Sequence, residues 1–224
     1  MFYMMIDTKY VRSLGDYIVE FVGLKSWTGN QSGTHLTVFY FSVLFFIGLF
    51  LVRNYAMRDL KLKGITIIII FIGLNTIFSL ATGEIAKSIK ANAGGLLSIE
   101  LEQGQNSMEY EIDDGKYTKF SANITLKNYS EEDKEFYLRI DEDFGYGNIK
   151  LYNLDGKEKM IILNGKETKV LSINLNNTMV NNKMVENFEN AGGSGIIERV
   201  IIYNKSGEEV RLESKNFLGI VLQE

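Results

Sequence analysis

Two long apolar runs lie close together near the start of this 224-residue chain, over residues 36–52 and 64–81. Neither run contains a charged residue, and each has the length, roughly 17–25 residues, that a helix needs to cross a hydrocarbon core of about 30 Å. Two such runs in tandem favour a transmembrane hairpin over two buried helices of a soluble protein. The predicted hairpin occupies residues 35–82. We therefore expect a multi-pass protein of the cell membrane with two spans.

The loop between the runs, residues 53–63, carries four basic residues and a single acidic one. Short loops rich in Lys and Arg stay on the cytoplasmic side of a membrane. The loop is therefore predicted to be cytoplasmic, and both chain termini are predicted to be extracytoplasmic. The residues that determine this topology are Arg53, Arg58, Lys61 and Lys63.

Residues 1–34 form an extracytoplasmic arm in which apolar residues recur at helical spacing. The apolar stripe comprises Tyr10, Leu14, Tyr17, Phe21 and Leu24, widened by Ile18 and Val22. This spacing predicts an amphipathic helix, ended by the turn-forming residues 28–34. The sequence leaves three surfaces open for its apolar face: the outer leaflet, a partner subunit, or the protein's own outer domain.

Two residues near the start of the first span are predicted to lie at the membrane interface. Trp27 precedes the turn, where an indole can anchor at the headgroups, and His35 stands at the outer mouth of the span. His35 is the only histidine of the chain, and there is no cysteine. An interfacial polar residue is therefore favoured over a pH-sensitive switch or a metal ligand, and no metal site is expected.

Asn75 and Thr76 lie near the middle of the second run, where polar side chains seek partners across helices. Gly48 and Gly73 would allow helices to approach closely. The sequence favours a contact within the hairpin; a contact with another membrane protein or with a second copy is the alternative. Neither run contains an ionisable Asp, Glu, Lys or Arg that would support an ion pathway.

After a juxtamembrane linker over residues 83–95, the periodicity changes from helical to alternating. Apolar residues then alternate with polar ones in several segments, which is typical of strands with one buried face. Asp-Gly and Asn-Gly pairs between the segments predict tight turns. About eight or nine strands favour a β-sandwich over residues 96–224. Their expected positions are near 97–102, 108–112, 117–127, 135–140, 149–154, 159–163, 168–175, 196–204 and 209–222.

Residues 123–140 (NITLKNYSEEDKEFYLRI) and 163–175 (LNGKETKVLSINL) resemble the immunoglobulin-like sandwiches of many bacterial surface proteins. In those domains a strand, an acidic turn and an aromatic strand precede a later Gly-Lys turn and strand. The resemblance implies an immunoglobulin-like fold and implies no activity. The predicted class is thus an α+β membrane protein: an amphipathic helix, a two-helix transmembrane hairpin and an all-β sandwich.

Two glycine-rich segments of the outer region are candidate loops. Phe144 and Tyr146 are flanked by glycines and form a weak candidate binding tip, although folding back onto the sandwich is the favoured interpretation. Gly192, Gly193 and Gly195 precede a predicted strand and not the helix that a phosphate site requires. This second segment is predicted to be a flexible crossover.

Composition narrows the function further. The absence of cysteine excludes a disulfide scaffold and thiol chemistry, and a formal net charge of −4 argues against nucleic acid. No pattern fits a catalytic constellation or a cofactor site, so we expect a protein that is not an enzyme and carries no cofactor.

The sequence therefore predicts a membrane-anchored extracytoplasmic binding or scaffold protein, an accessory subunit of a bacterial envelope complex. Its expected partners are the lipid bilayer and another membrane or envelope protein. Two alternatives stay open: a sensory or ligand-binding surface protein that recognises a peptide, glycan or ion, and a cell-envelope enzyme.

Overall fold

Helices occupy the first part of the chain and antiparallel strands the second. The structure is a computed structural model that describes residues 13–29, 33–59, 61–104, 106–142, 147–181, 190–214 and 216–222. The chain divides into two units, Met1–Ala86 and Lys87–Glu224.

The first unit contains a short helix and two long ones. Helix α1 spans Leu14–Phe21 and begins at Ser13, whose side chain accepts a hydrogen bond from the Asp16 amide. Helix α2 spans Leu36–Leu51 and continues as a π-helical segment over Val52–Met57.

Helix α3 spans Gly64–Ala91, so its last residues belong to the second unit. By length and composition, α2 with its π-helical extension and α3 could each cross a membrane, with mean hydropathies of 2.1 and 2.2. Almost none of the residues in the most apolar 18-residue window of each helix is buried.

Both long helices extend beyond the apolar runs from which they were predicted. The first continues through Arg53 to Met57, so the segment that joins the two helices begins after Met57 and not after Val52. The second continues through the first residues of the predicted linker to Ala91, and a single 3-10 turn, Gly95–Ser98, then leads into the strands. Hydropathy indicates only the apolar part of a helix, whereas the backbone hydrogen bonds that define the helix continue into the polar residues beyond it.

Twelve strands follow in the described residues. They are β1 (Ile99–Leu101), β2 (Ser107–Asp113), β3 (Lys116–Asn128), β4 (Lys134–Glu142), β5 (Gly147–Tyr152), β6 (Ile161–Leu163), β7 (Thr168–Asn174), β8 (Met179–Asn181), β9 (Asn190–Ile196), β10 (Arg199–Tyr203), β11 (Glu209–Glu213) and β12 (Asn216–Val221). Asp114 and Gly115 join β2 to β3, and both have positive φ, as the two central residues of a type I′ hairpin turn require.

The strands form two antiparallel sheets. In the first, β9, β2, β3 and β7 lie side by side, and β1 pairs with the last residues of β3. In the second, the order is β12-β11-β10-β4-β5-β8, and β6 pairs with the first residues of β4. Alternate residues of both sheets enter one apolar core. Among them are Phe120, Ile124, Leu126, Phe136, Leu138, Ile140, Val200, Ile202, Val210 and Leu212.

Three details of the strand region differ from the sequence prediction. The glycine segment at 192–195 is not a crossover but part of strand β9, which pairs with β2 along its whole length. Strand β8 was not anticipated, and the last predicted strand is divided between Glu213 and Asn216 instead of at Gly219. Glycines give no alternating hydrophobic signal, so pairing with β2 determines β9 and local patterning does not.

Candidate functional site

A buried carboxylate of the short helix α1 joins two residues that the sequence singled out separately. The side chain of Asp16 is fully buried, and its Oδ1 atom lies 2.6 Å from Nε2 of His35. Its other oxygen, Oδ2, accepts a hydrogen bond of 3.2 Å from the Trp27 indole nitrogen. We refer to Asp16, Trp27 and His35 as the carboxylate clasp.

The turn between α1 and α2 brings the two rings of the clasp together. Trp27 and His35 form an isolated antiparallel bridge, and their rings stack at 4.2 Å with an interplanar angle of 9°. The Thr28 hydroxyl accepts a hydrogen bond of 2.9 Å from the Thr34 amide, which holds the two arms of the turn. The turn-forming segment therefore does more than end a helix, because it places an aromatic ring over the imidazole.

Ser26, directly before Trp27 of the clasp, holds the first turn of α2. The Ser26 carbonyl accepts hydrogen bonds from the amides of Leu36 and Thr37, at 2.8 and 3.3 Å. These two amides belong to the helix N-terminus, where no partner exists within the helix itself. His35 occupies the N-cap position, but its side chain bonds Asp16 and makes no cap hydrogen bond.

The electrostatics of the clasp favour a charged carboxylate. Burial alone would raise the pKa of Asp16, but hydrogen bonds from Thr37, His35, Ser13 and Trp27 outweigh it, so the pKa is lowered from its ordinary value. A buried anion of this kind is stabilised by several donors and one potential cation, His35.

A second buried ionic group lies at the end of α3. Lys90 is fully buried, its ammonium donates to the Phe217 carbonyl in β12, and it lies 5.1 Å from the centroid of the Phe217 ring. Tyr129 packs edge-on against Phe217 and donates a hydrogen bond of 2.7 Å to Glu100. Glu100 is itself buried and attracts the Lys90 ammonium electrostatically.

The outer face of the second sheet carries a third cluster, which we call the tyrosine–arginine face. Tyr137 and Tyr203 are cross-strand neighbours with ring centroids 5.6 Å apart, and the Arg139 guanidinium lies 5.6 Å from the Tyr203 ring. Arg139 is ion-paired with Glu209, and the Tyr203 hydroxyl donates to Glu158. Burial and the Glu158 carboxylate together raise the pKa of Tyr203, so its phenol stays neutral and able to donate.

Three basic residues and one isoleucine lie in register across the same sheet. The strand register places Lys150, Arg139, Ile201 and Arg211 opposite one another on four successive strands, β5, β4, β10 and β11. The Arg139 Nε–H group is buried and has no acceptor among the described residues. The face therefore presents aromatic rings and guanidinium groups.

The remaining predicted site residues are placed as follows. Arg53, Arg58, Lys61 and Lys63 are all exposed, and Arg58 forms an ion pair of 2.9 Å with Asp59. The Thr76 hydroxyl donates to the Ile72 carbonyl of its own helix at 3.0 Å, so the helix–helix contact expected from Asn75 and Thr76 stays a prediction. Phe144 and Tyr146 lie outside the described residues.

Sequence reasoning missed Asp16 and Lys90 as parts of these sites. Asp16 stands on the polar side of an amphipathic helix, where a solvated carboxylate is the default interpretation. The partner of Lys90 lies 127 positions away, and no local pattern could have indicated it. For Asp16, the available signal was the concentration of the only Trp and the only His of the chain on either side of one short turn.

Comparison with known proteins identifies no related protein. No protein-family model, curated protein or solved structure significantly matches the chain. Within the part of the chain that the structure describes, no group of three or more His, Asp or Glu side chains is arranged to hold a metal ion.

Proposed function

We propose that this protein is a membrane-anchored extracytoplasmic binding or scaffold protein, an accessory subunit of a bacterial envelope complex. Helices α2 and α3 form the membrane hairpin, the basic loop between them is cytoplasmic, and the β region is an extracytoplasmic recognition domain. The partners are the bilayer and a second envelope protein.

The observation that carries this proposal is the continuity of α3. One uninterrupted helix contains the second apolar run and ends at Ala91, and Lys90 in its last turn has a buried ammonium that is bonded to strand β12. A span that continues into a structural residue of the β domain is the arrangement expected of an anchor and its attached domain. The exposed apolar side chains of both long helices are consistent with lipid as their surroundings.

The strand connectivity supports an immunoglobulin-like fold. Strand β3 pairs with β1 and β7 in one sheet, while β4, β10 and β11 are neighbours in the other. In chain order these match strands A, B and E of one immunoglobulin sheet and C, F and G of the other. Such sandwiches commonly present one sheet face or one end to a partner, and we assign that role to the tyrosine–arginine face.

Its composition fits protein recognition. Tyr and Arg are enriched among residues that dominate the binding energy of protein interfaces, because they combine large contact area with directional polar groups. On this face two tyrosines and an arginine are already held in place by neighbours, so little conformational entropy remains to be lost on binding.

The experiment is photo-crosslinking from the two sheets in intact cells. The chain has no cysteine, so Lys150→Cys on the tyrosine–arginine face and Lys119→Cys on the outer face of the other sheet each accept one benzophenone-maleimide label. The two lysines are matched, since each lies on a strand and forms an ion pair with a glutamate, and their side chains are 44% and 46% exposed.

We expect a discrete protein adduct from position 150 and none of that mass from position 119. The additional substitution Arg139→Ala should remove the adduct, because it deletes the guanidinium from the centre of the face. A label at 150 that gives no adduct, or adducts of equal yield from both sheets, would contradict the proposed role of this face.

A further inference from the structure

Helix α1 is oriented with its apolar side outward. The exposed fractions of Ile18, Phe21, Val22 and Leu24 are 41%, 91%, 61% and 51%. These four side chains lie on or directly after one face of the helix, at the spacing of successive turns. An exposed apolar stripe of this size normally marks a contact with lipid or with another molecule.

The opposite side of α1 is the attached side. Ser13, Asp16 and Val19 are buried, with exposed fractions of 1%, 0% and 4%. Asp16 makes the clasp contacts with Trp27 and His35, so hydrogen bonds hold the helix on the side opposite to its exposed apolar residues. In a helix held by its polar side, the apolar stripe is available to whatever surrounds the first unit.

The clasp sets the depth of this stripe relative to the bilayer. His35 immediately precedes the apolar helix Leu36–Met57, whose 22 residues extend about 33 Å. That length is close to the hydrocarbon thickness of about 30 Å, so the first residue of the span lies near the hydrocarbon boundary. A helix bonded to His35 is therefore held at the level of the headgroups and the first acyl carbons.

The chemistry around α1 suits that level. Trp27 presents an indole whose N–H is already bonded, which is the amphipathic character that places tryptophan in interfacial belts. Lys25 is exposed beside the stripe and can reach lipid phosphates. Exposed apolar residues continue on the first turn of α2, where Phe39 is 62% exposed.

We propose that α1 and the residues directly after it form an interfacial segment, whose exposed side chains Ile18, Phe21, Val22 and Leu24 enter the lipid of the extracytoplasmic leaflet. The carboxylate clasp attaches this segment to the first span. This inference rests on the membrane anchoring in the proposed function. The occupant is lipid, because the clasp fixes the stripe at the depth where acyl chains begin.

The test places one nitroxide at a time on the full-length protein in phosphatidylcholine nanodiscs. Phe21→Cys reports on the stripe, Lys25→Cys is the polar control four residues later, and Phe46→Cys, 68% exposed, reports on the first span. Collision with oxygen, which concentrates in lipid, is compared with collision with a water-soluble nickel chelate. We expect the oxygen-to-nickel ratio to be several-fold higher at 21 and 46 than at 25.

The possible outcomes separate the two proposals. A label at 46 in lipid with a label at 21 exposed to nickel would overturn the interfacial helix and leave the anchor intact. Nickel access at 46 would overturn the anchor itself. Dipolar broadening between labels at position 21 of two molecules would identify a second copy as the occupant and overturn lipid.

The unmodified protein provides an independent readout, since Trp27 is its only tryptophan. Lipids brominated near the carbonyl end of the acyl chain should quench Trp27 more strongly than lipids brominated near the methyl end. Equal absence of quenching by both lipids would contradict a clasp at the hydrocarbon boundary.

Discussion

The side-chain ammonium of Lys90 donates to the backbone carbonyl of Phe217 and lies over the ring of the same residue, 5.1 Å from its centroid. A buried ammonium is tolerated where a carbonyl, an aromatic face and a nearby carboxylate replace water. Here Phe217 supplies the first two and Glu100 the third. The contact joins the last turn of α3 to strand β12.

Lys90→Met should loosen β12. Methionine keeps most of the aliphatic stem but cannot make the hydrogen bond from the ammonium to the Phe217 carbonyl, and hydrogen bonds of charged groups contribute about 1.5–3 kcal/mol. We expect the amides of Asn216–Val221 to exchange hydrogen about 10- to 150-fold faster, measured by mass spectrometry on the full chain.

The matched control is the same substitution at an exposed lysine, Lys205→Met. It should leave exchange in β12 unchanged, because surface substitutions of this kind usually alter stability by less than about 0.5 kcal/mol. Equal protection of β12 in both variants would show that the buried lysine has no structural role.

Asp16→Asn should weaken the attachment of α1. The amide keeps the shape of the carboxylate but removes the negative charge that His35 faces at 2.6 Å, and charge-assisted hydrogen bonds are stronger than neutral ones. Hydrogen exchange in α1 should accelerate about tenfold, which corresponds to about 1.4 kcal/mol. Asp59→Asn, in the exposed loop, is the control; a similar change in that variant would refute a specific contribution from the clasp.

Acid should open the clasp. Hydrogen bonds hold the pKa of Asp16 below its ordinary value of 3.8, so this carboxylate stabilises the folded state above that pH. The contribution is lost as the pH falls through the lowered pKa, when the charged form that the donors favour disappears. Trp27 emission, followed in the full chain from about pH 5 to about pH 2, should show a transition that Asp16→Asn lacks. Because the Glu20 carboxylate accepts a hydrogen bond from Ser26 close to the clasp, only the difference between the two proteins is assigned to Asp16.

Features that arise from local sequence patterns could be predicted, whereas contacts between residues far apart in the chain could not. The two apolar runs and the alternation in β3 and β4 are local patterns, and the helices and strands formed where those patterns indicated. Trp27 and His35 were selected individually for their chemistry. Their stacking, and the carboxylate beneath them, required the turn geometry that only the folded chain supplies.

The glycine-rich strand β9 and the buried Lys90 are features that local sequence patterns could not predict. In β9 the segment Asn190–Ile196 is largely exposed and rich in glycine, so neither burial nor propensity marks it as a strand. Its register with β2 is a long-range property. Likewise, no local pattern distinguishes Lys90 from an ordinary solvated lysine of the predicted linker, although its side chain is fully buried.

The membrane orientation can be checked with impermeant maleimide on intact cells. Lys205→Cys, in an exposed turn of the β unit, should be labelled from outside, whereas Asp59→Cys in the basic loop should be labelled only after the cells are opened. Substituting Asp59 leaves all four basic residues of the loop in place, so the positive charge that retains the loop in the cytoplasm is preserved. Labelling of position 59 alone in intact cells would invert the proposed topology.

Gly165→Ala should destabilise the β unit, because a Cβ at this position would overlap the backbone carbonyl of Glu131. Backbone cannot rotate away as a side chain can, and overpacking of this kind typically costs about 1–3 kcal/mol. Gly195→Ala is the control, since a Cβ there meets nothing within 4 Å. Thermal unfolding followed by tyrosine fluorescence should show a lower midpoint for Gly165→Ala and an unchanged or higher midpoint for Gly195→Ala, whose unfolded state loses conformational freedom. If the two midpoints coincide, the close approach of residues 131 and 165 does not exist in the folded protein.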